Sequence, residues 1–478
     1  MRAALDQDYY LEGICTPPSM GFLEDQLHKA KARGLNMLRC HIKVPDPRYY
    51  EVADRLGMLI WTEMPNVGQF TTASARRMRE TMERILRRDG NAPCIVIWTL
   101  INEDWGARLC EDPAHRAWLA AEYDWLKQRD PSRLVVDISP CHGNFHMKSD
   151  INDFHYYRSV PERRSEWDAL TAEFAAGADW TYTPFGDRQR NGSGPLVVSE
   201  FGVWGLANPA QVQINGAEPW WMETGGAWGE GTAYPHGIEN RFNTLRLAIV
   251  FGDFSRFVQA AQWYQFANLK YQIEVMRSWP QIIGYVITEF TDVHWESNGL
   301  LDMNRNPRVF HDQFAQINAY LVIVPRVTHY AGRLGEAFQF GLALAMGGKA
   351  VNAAVEGRGA DRRDCRLGGG ASGGGAGADR LADCSGANRM LLVEFVPETA
   401  GVELARNQIE IAVYDTPTTQ SLPKIATTDA AFAAHCAALG CVVVDAESAD
   451  VTVVLALDAT DITLMQAGAL SIDLGLKY

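Results

Sequence analysis

The sequence holds little that would place a chain in a membrane, on nucleic acid or around a metal. No uninterrupted apolar run is long enough to span a bilayer, and the opening MRAALDQDYY lacks the basic-then-apolar order of a secretory signal. A soluble, cytoplasmic protein with no membrane partner is expected. Positive charge is in deficit, 44 Lys and Arg against 58 Asp and Glu, for a net charge of −14. Binding phosphate backbones needs a basic face, so no nucleic-acid partner is expected, and a neutral or small polar substrate suits the balance better. The nine cysteines, at 15, 40, 94, 110, 141, 365, 384, 436 and 441, form no close pair of zinc-knuckle or redox type. A reduced compartment is expected, and neither cofactor nor metal is called for. Tryptophan is missing from the last 183 residues, because all 14 lie at or before Trp295. That break in composition divides the chain into two unlike bodies.

What is present first is alternation. Up to about residue 325, short β-branched apolar runs alternate with longer amphipathic stretches, the pattern of a parallel sheet with crossover helices. Strands are predicted over Arg2–Leu5, Asn36–Cys40, Met58–Thr62, Cys94–Leu100, Leu134–Ile138, Ile151–His155, Leu196–Ser199 and Ile282–Thr288. Eight parallel strands close a barrel, so residues 1–325 are expected to form a (β/α)8 TIM barrel of the α/β class. Spacing predicts helices over Phe22–Arg33, Tyr49–Leu56, Ala73–Arg87, Ala114–Gln128 and, with an internal break, Glu239–Ser278. Pro113 suits a first helical turn, and Gly34 and Gly57 fall where a left-handed residue ends a helix.

Residues 326–356 then connect the barrel to 357–388, GRGADRRDCRLGGGASGGGAGADRLADCSGAN. Its glycine content and lack of apolar periodicity predict a disordered linker. Residues 389–478 are expected to form a smaller, abruptly ending C-terminal β and α/β region. Strands are predicted at Met390–Val396 and Gln408–Val413, then a strand-helix-strand order over Lys424–Ile472 in which Ala430–Leu439 is helical and Gly440 caps it.

Side chains at the carboxyl ends of parallel barrel strands face one another across the mouth, so residues far apart in sequence can share a site. CIVIWTLINEDWG turns polar at Asn102 and Glu103, and PLVVSEFGVWG does so at Glu200. Cleavage of a glycoside with retention requires two carboxyl groups about 5–5.5 Å apart, one protonated and one ionised. Charge on one of two such neighbouring carboxyl groups disfavours ionisation of the other, so one keeps its proton while the other is ionised.

The segments LDQDYY, GLNMLRCHIKVPDPRYYEVADRLGMLIWTEMP, RRDGNAPCIVIWTLINE, LVVSEFG and IIGYVITEFTDVHWESNGLLDMNRNPR lie in this order between Arg2 and Pro325. Together they resemble glycoside hydrolase family 2, the family of β-galactosidases, β-glucuronidases and β-mannosidases. The resemblance implies a retaining exo-β-glycosidase that hydrolyses terminal β-linked sugars, with Glu103 as acid/base and Glu200 as nucleophile. It implies that Asn102 bonds the sugar 2-hydroxyl, a contact that strengthens as the anomeric centre becomes cationic. It also makes Arg39 and His41 a basic pair at the pocket floor and puts a nucleophile-binding tyrosine after the sixth strand. His155, Tyr156 and Tyr157 end that strand and are candidate substrate-binding residues, and which tyrosine faces inward stays open.

Other residues have competing readings. Arg39 serves equally well as half of a structural ion pair, and Glu63 and Asp137, ending the third and fifth strands, are rim or structural groups. Trp204, Trp220, Trp221 and Trp228 in the loop from Gly202 to Ile238 suggest a sugar-facing lid, joined by Trp295 after the eighth strand, because indole faces suit the C–H faces of sugars. His142, His146 and His155 are what a metal-dependent barrel hydrolase would use, but no carboxylate-and-lysine set completes that site. The family's N-terminal β domains are not matched ahead of Arg2, so a catalytically impaired carbohydrate-binding barrel is the alternative. Glucuronidases of the family carry Asn-x-Lys after the eighth strand. Here the matching residues are Asn298, Gly299 and Leu300, so a neutral β-galactoside is expected first and a β-mannoside second.

Overall fold

The computed structural model describes residues 1–103, 106–177, 179–189, 194–219, 221 and 237–327, and beyond them 330–333, 337–346, 349–351, 357–360, 377–380, 389–395, 398–399, 402–403, 405–414, 422–427, 429–438, 440–454 and 470–473. Eight parallel strands organise the first part: β1 (Arg2–Asp6), β2 (Met37–Cys40), β3 (Leu59–Glu63), β4 (Ile95–Asn102), β5 (Leu134–Ser139), β6 (Asn152–His155), β7 (Leu196–Phe201) and β8 (Ile282–Ile287). Their ladder order is β5-β4-β3-β2-β1-β8-β7-β6. β1 pairs with β2 on one side and β8 on the other, so the chain start is locked between its neighbours. The two ends of this order, β5 and β6, meet through separate contacts: the Asp150 N–H donates to Val135 O (2.9 Å) and the His155 N–H to Pro140 O (2.8 Å). The result is a TIM barrel with one stitched seam, as expected from the eight runs.

Strand periodicity sorts the inside of the barrel into two levels. Ala3, Leu5, Met37, Trp61, Ile97, Val136, Ile151, Val197 and Val286 form one buried apolar cluster. Two residues further along, on the same face, come Arg39, Glu63, Thr99, Asp153 and Ser199, all buried. Polar groups therefore fill the level nearer the strands' carboxyl ends, above an apolar plug. The other strand faces pack against the helices in a larger cluster that includes Leu23, Leu27, Tyr49, Met82, Leu119, Trp167 and Ile273.

The helices start where short polar side chains cap them. α1 (Met20–Ala32) begins at Ser19, α2 (Pro47–Leu56) at Asp46, α3 (Thr72–Asp89) at a Thr71–Ser74 capping box, and α4 (Pro113–Arg129) at Asp112 with Pro113 in its first turn. Gly57 closes α2 at φ 65°, as its position predicts. α5 (Arg164–Ala175) is an additional helix without a side-chain cap. The predicted broken helix resolves into α7 (Ile238–Thr244), α8 (Ala248–Phe251) and α9 (Phe254–Arg277), following the short α6 (Pro209–Val212). α10 (His311–Asn318) precedes β9 (Leu321–Val327). No helix among the described residues is long and apolar enough to cross a membrane.

The boundary expected at 325 falls inside β9, which pairs antiparallel with Ala337–Met346 and so belongs to the β region that follows. Within the segment expected to be a disordered linker, Gly357–Ala360 pairs with Arg389–Phe395 and Gly377–Arg380 with Ala337–Met346. The rest of 357–388 lies outside the described residues. Arg389–Phe395 and Asn407–Tyr414 pair antiparallel, and Lys424–Thr427, Ala430–Ala438, Val442–Val443 and Val451–Val454 follow in strand-helix-strand order, with Gly440 at φ 89°.

Candidate active site

Asn102 ends β4 and Glu103 follows it at φ 51°, a left-handed conformation that costs a non-glycine residue about 1–2 kcal/mol. The turn is held by the Glu103 N–H, which donates to Ser139 O (2.8 Å), and it re-aims the side chain across the mouth. Glu200 lies inside β7, opposite His155 of β6 in the ladder. Ligand atoms of Glu103, His155 and Glu200 all lie within 4.8 Å of one another. Two carboxylates far apart in sequence are thus neighbours, with the imidazole between them.

Arg39 is the charge centre beneath this group. Fully buried, it donates to Glu63, to Asn102 Oδ1 (2.8 Å) and to Ser199 O (2.8 Å), lies 3.3 Å from Glu200 Oε1, and stacks over Trp61 at 4.9 Å. Burial alone would lower its pKa, but Glu63, Glu200 and Asp153 together raise it. Glu63 also accepts from the Ile42 N–H (2.8 Å) and faces His41 Nδ1 (2.9 Å). Burial pushes the Glu63 carboxyl up, yet Arg39 and His41 outweigh it and bring the pKa to about 2. Burial likewise opposes charge on His41, and Glu63 overcomes it and raises that imidazole above its ordinary value. His41 Nδ1 is 4.0 Å from Glu200 Oε1.

The two adjacent tyrosines separate. Tyr157 donates its hydroxyl to Glu200 Oε2 (2.7 Å), with Thr288 Oγ1 3.0 Å away. Burial, then the Glu200 carboxylate, pushes the phenol well above its usual range, so it remains a donor. Tyr156 turns outward: its ring stacks on Trp167 at 5.8 Å and lies under Arg158, and its hydroxyl reaches Glu166 O. The expected sugar contact therefore does not fall to Tyr156. His155 also departs from its expected part, since both ring nitrogens are engaged by protein: Nδ1 with Glu103 Oε1 (3.1 Å), Nε2 with Ser139 Oγ (2.8 Å) and Glu200 Oε1 (3.3 Å).

Trp295 packs edge-on against Tyr9 at 5.2 Å, and Trp204 is about half exposed (49 %) on the coil after β7. Trp221 is buried with Ala207, Val212 and Met303, a packing role rather than that of a lid. Trp220 and Trp228 lie outside the described residues. His146 is enclosed between Asp137 and Asp153 while His142 is exposed, so the three histidines do not converge on a metal site. Among the described residues, Glu103, His155 and Glu200 are the set whose geometry admits a cation. Arg39 already supplies a fixed positive charge 3.3 Å from Glu200. Ser139, Asp153 and Thr288 were not singled out from the sequence. Their signal was positional, each lying at the end of a strand or two residues before a named residue on the same face.

Residues 19–213 match the TIM barrel domain of glycosyl hydrolases family 2. Over 131 residues the chain is 33% identical to a β-galactosidase of Aeromonas hydrophila subsp. hydrophila, a stretch that makes up 26% of this chain and 12% of that protein. Over 115 residues it is 31% identical to a β-galactosidase of Yersinia enterocolitica, covering 22% of this chain and 10% of the other. The matched stretches thus span about a tenth of those curated relatives. Among solved structures, β-glucuronidase 2 of Bacteroides uniformis gives a TM-score of 0.48 at 14% identity, covering 89% of this chain and 47% of that one. A β-glucuronidase of Bifidobacterium dentium gives 0.47 at 15%, covering 66% and 46%.

Proposed function

Because the barrel belongs to glycoside hydrolase family 2, we propose that the chain is a retaining exo-β-glycosidase in which Glu200 attacks and Glu103 serves as acid, then base. The observation that carries this reading is the approach of the two carboxylates to within 4.8 Å at the mouth of the barrel, in keeping with the short separation of retaining enzymes rather than the wider gap that admits a water.

Glu200 Oε2 is held by Tyr157, while Oε1 lies in the field of Arg39 and His155 without a hydrogen bond among the described residues. Such an oxygen is lightly encumbered, as a nucleophile must be. Its attack on the anomeric carbon forms a glycosyl ester as the bond to the aglycone breaks, and the Glu103 proton goes to the departing oxygen. Water then attacks the anomeric carbon, breaking its bond to the Glu200 oxygen, giving a proton back to Glu103 and releasing Glu200. Asn102 has committed Oδ1 to Arg39, so its amide nitrogen is the end that would meet the sugar 2-hydroxyl.

The pocket wall after β8 favours a neutral sugar. Leu300, at the place of the glucuronidase lysine, is wholly buried. Nearby, Glu296 lies within electrostatic reach of Glu200, His41 and Tyr157, and its carboxyl is pushed up by burial and by Glu200. A uronate would add a further negative charge to this group. β-Galactosides are the first choice and β-mannosides the second.

A panel of nitrophenyl β-glycosides tests the reading, with the anomer of the first-formed product followed by proton NMR. Turnover of one neutral sugar with retention is expected, falling on the order of 10⁴-fold in Glu200→Gln. A folded chain that hydrolyses none of them would leave a carbohydrate-binding barrel.

A further inference from the structure

The seam between β5 and β6 carries a line of buried polar side chains that ends on Glu103. Asp137 Oδ1 lies 2.8 Å from His146 Nδ1, and its Oδ2 accepts from the Met147 and Lys148 N–H groups (2.7 and 2.9 Å). His146 Nε2 lies 3.0 Å from Asp153 O and 3.5 Å from Asp153 Oδ1. Ser139 donates to Asp153, and its Oγ lies 2.8 Å from His155 Nε2. His155 Nδ1 then faces Glu103 Oε1 at 3.1 Å. Asp137, Ser139, His146 and Asp153 are fully buried and His155 is 3 % exposed.

Counting protons fixes the direction of this line. A serine hydroxyl has one proton, and where Asp153 is ionised Ser139 gives that proton to it, so Ser139 Oγ accepts from His155. The proton of a neutral His155 ring therefore sits on Nε2, where Glu200 Oε1 at 3.3 Å also favours it, against Arg39 Nη1 at 3.5 Å. Nδ1 is left as a lone pair pointing at a carboxyl oxygen. Two acceptors at 3.1 Å make an attractive contact only with a proton between them.

We propose that His155 is a positioning residue that shares with Glu103 the proton consumed in glycoside cleavage and restored by water. The proposal rests on the assignment of Glu103 made above. When the aglycone departs, the pair gives one proton to the leaving oxygen and is left as carboxylate and neutral imidazole. When water attacks the glycosyl ester, one proton returns to the pair. Between these events the imidazole accepts a hydrogen bond from the acid form of Glu103, which favours that form. The groups that face His155 are Glu103, Glu200, Arg39 and, through Ser139, Asp153. Glu63 and His41 act on it through Arg39, and Tyr157 through Glu200.

Two measurements test this. In the folded chain, ¹⁵N-edited NMR of the His155 ring should show hydrogen on Nε2, with an Nδ1 shift that changes in Glu103→Gln. Hydrogen on Nδ1, or a shift indifferent to Glu103→Gln, overturns the proposal. In the pH profile of kcat/KM, His155→Gln should move the alkaline limb to lower pH by about one unit, because glutamine can donate to the ionised form of Glu103 instead. Ser139→Ala, which keeps the imidazole but loosens Nε2, should move it less in the same direction. A uniform drop in rate with an unmoved limb in both variants assigns His155 a structural part only. If no β-glycoside is turned over, the functional reading fails, while the NMR result still decides the sharing of the proton.

Discussion

Tyr156 and Tyr157 are neighbours with identical side chains, and only their place on a strand end separates a packing group from a hydrogen-bond donor to Glu200. The sequence narrows the choice to this pair because both follow β6, but the turn after His155 decides which phenol enters the barrel. Tyr157→Phe should keep the fold and lower kcat by about 10²–10³, the usual cost of losing one donor to a reacting carboxylate; thermal melting alongside steady-state kinetics separates the two effects. Glu63 poses a different question, because it holds both Arg39 and His41. Removing one partner of a buried ion pair costs about 3–5 kcal/mol, so Glu63→Gln should be strongly destabilised at neutral pH. The sign with pH follows from the depressed carboxyl. Its contribution is complete above the unfolded value near 4.3 and is lost as pH falls toward about 2. Chemical denaturation at several pH values should show wild type and Glu63→Gln converging over that range, and a constant gap would contradict this account.

At the level of elements, the barrel strands were legible because each is a short apolar run ended by a glycine, proline or polar cluster. Their ends were less so: β4 runs on to Asn102 and β7 to Phe201, since polar residues continue a ladder when their side chains enter a polar interior. α5 escaped notice for a local reason. It starts at Arg163 with no capping hydrogen bond, so the usual Ser, Thr, Asp or Asn signal is missing. The glycine-rich segment misled in the other direction. Gly357–Ala360 and Gly377–Arg380 have no apolar pattern of their own, and their pairing comes from the backbones of Arg389–Phe395 and Ala337–Met346. A close approach beside the site was also hidden in the sequence: Gly202 follows β7 at φ 154°, and a Cβ there would lie 2.5 Å from Thr288 O. Gly202→Ala should therefore push β7 away from the segment after β8. A loss of about 2 kcal/mol, measured by denaturation, and reduced turnover through a displaced Glu200 are expected.

For the whole molecule, the described residues pass from an α/β barrel to mostly antiparallel strand pairs up to Tyr414 and a parallel sheet from Lys424, and the end of the tryptophans does not show where that passage falls. β9 passes from one to the other, and composition cannot show which partner a strand will choose. The two regions meet at Asn407, which is buried and donates from Nδ2 both to Glu274 Oε1 of α9 and to Ile323 O of β9, each at 2.7 Å. Asn407→Ala would leave a buried carboxylate and a buried carbonyl short of a donor, at about 1–3 kcal/mol each. Faster proteolysis after residue 320, with the barrel melting unchanged, is the expected result.

The stitched seam gives the barrel a preferred direction of failure. His146 and Asp153 both hold protons more tightly than their ordinary values, His146 because Asp137 outweighs burial and Asp153 because of burial itself. Groups with raised values lend stability that is complete at low pH and disappears as pH rises through them. Alkali should therefore undo the hoop at one place, between β5 and β6, while the continuous ladders elsewhere stay shut. Amide hydrogen exchange can time that event. Corrected for intrinsic rates, the Asp150 and His155 amides should lose protection as pH rises above the ordinary imidazole value of about 6.5, ahead of the His41 amide, which donates to Asp6 O at 3.0 Å between β1 and β2. A barrel opened there would lose the placement of Glu103 before it lost its shape.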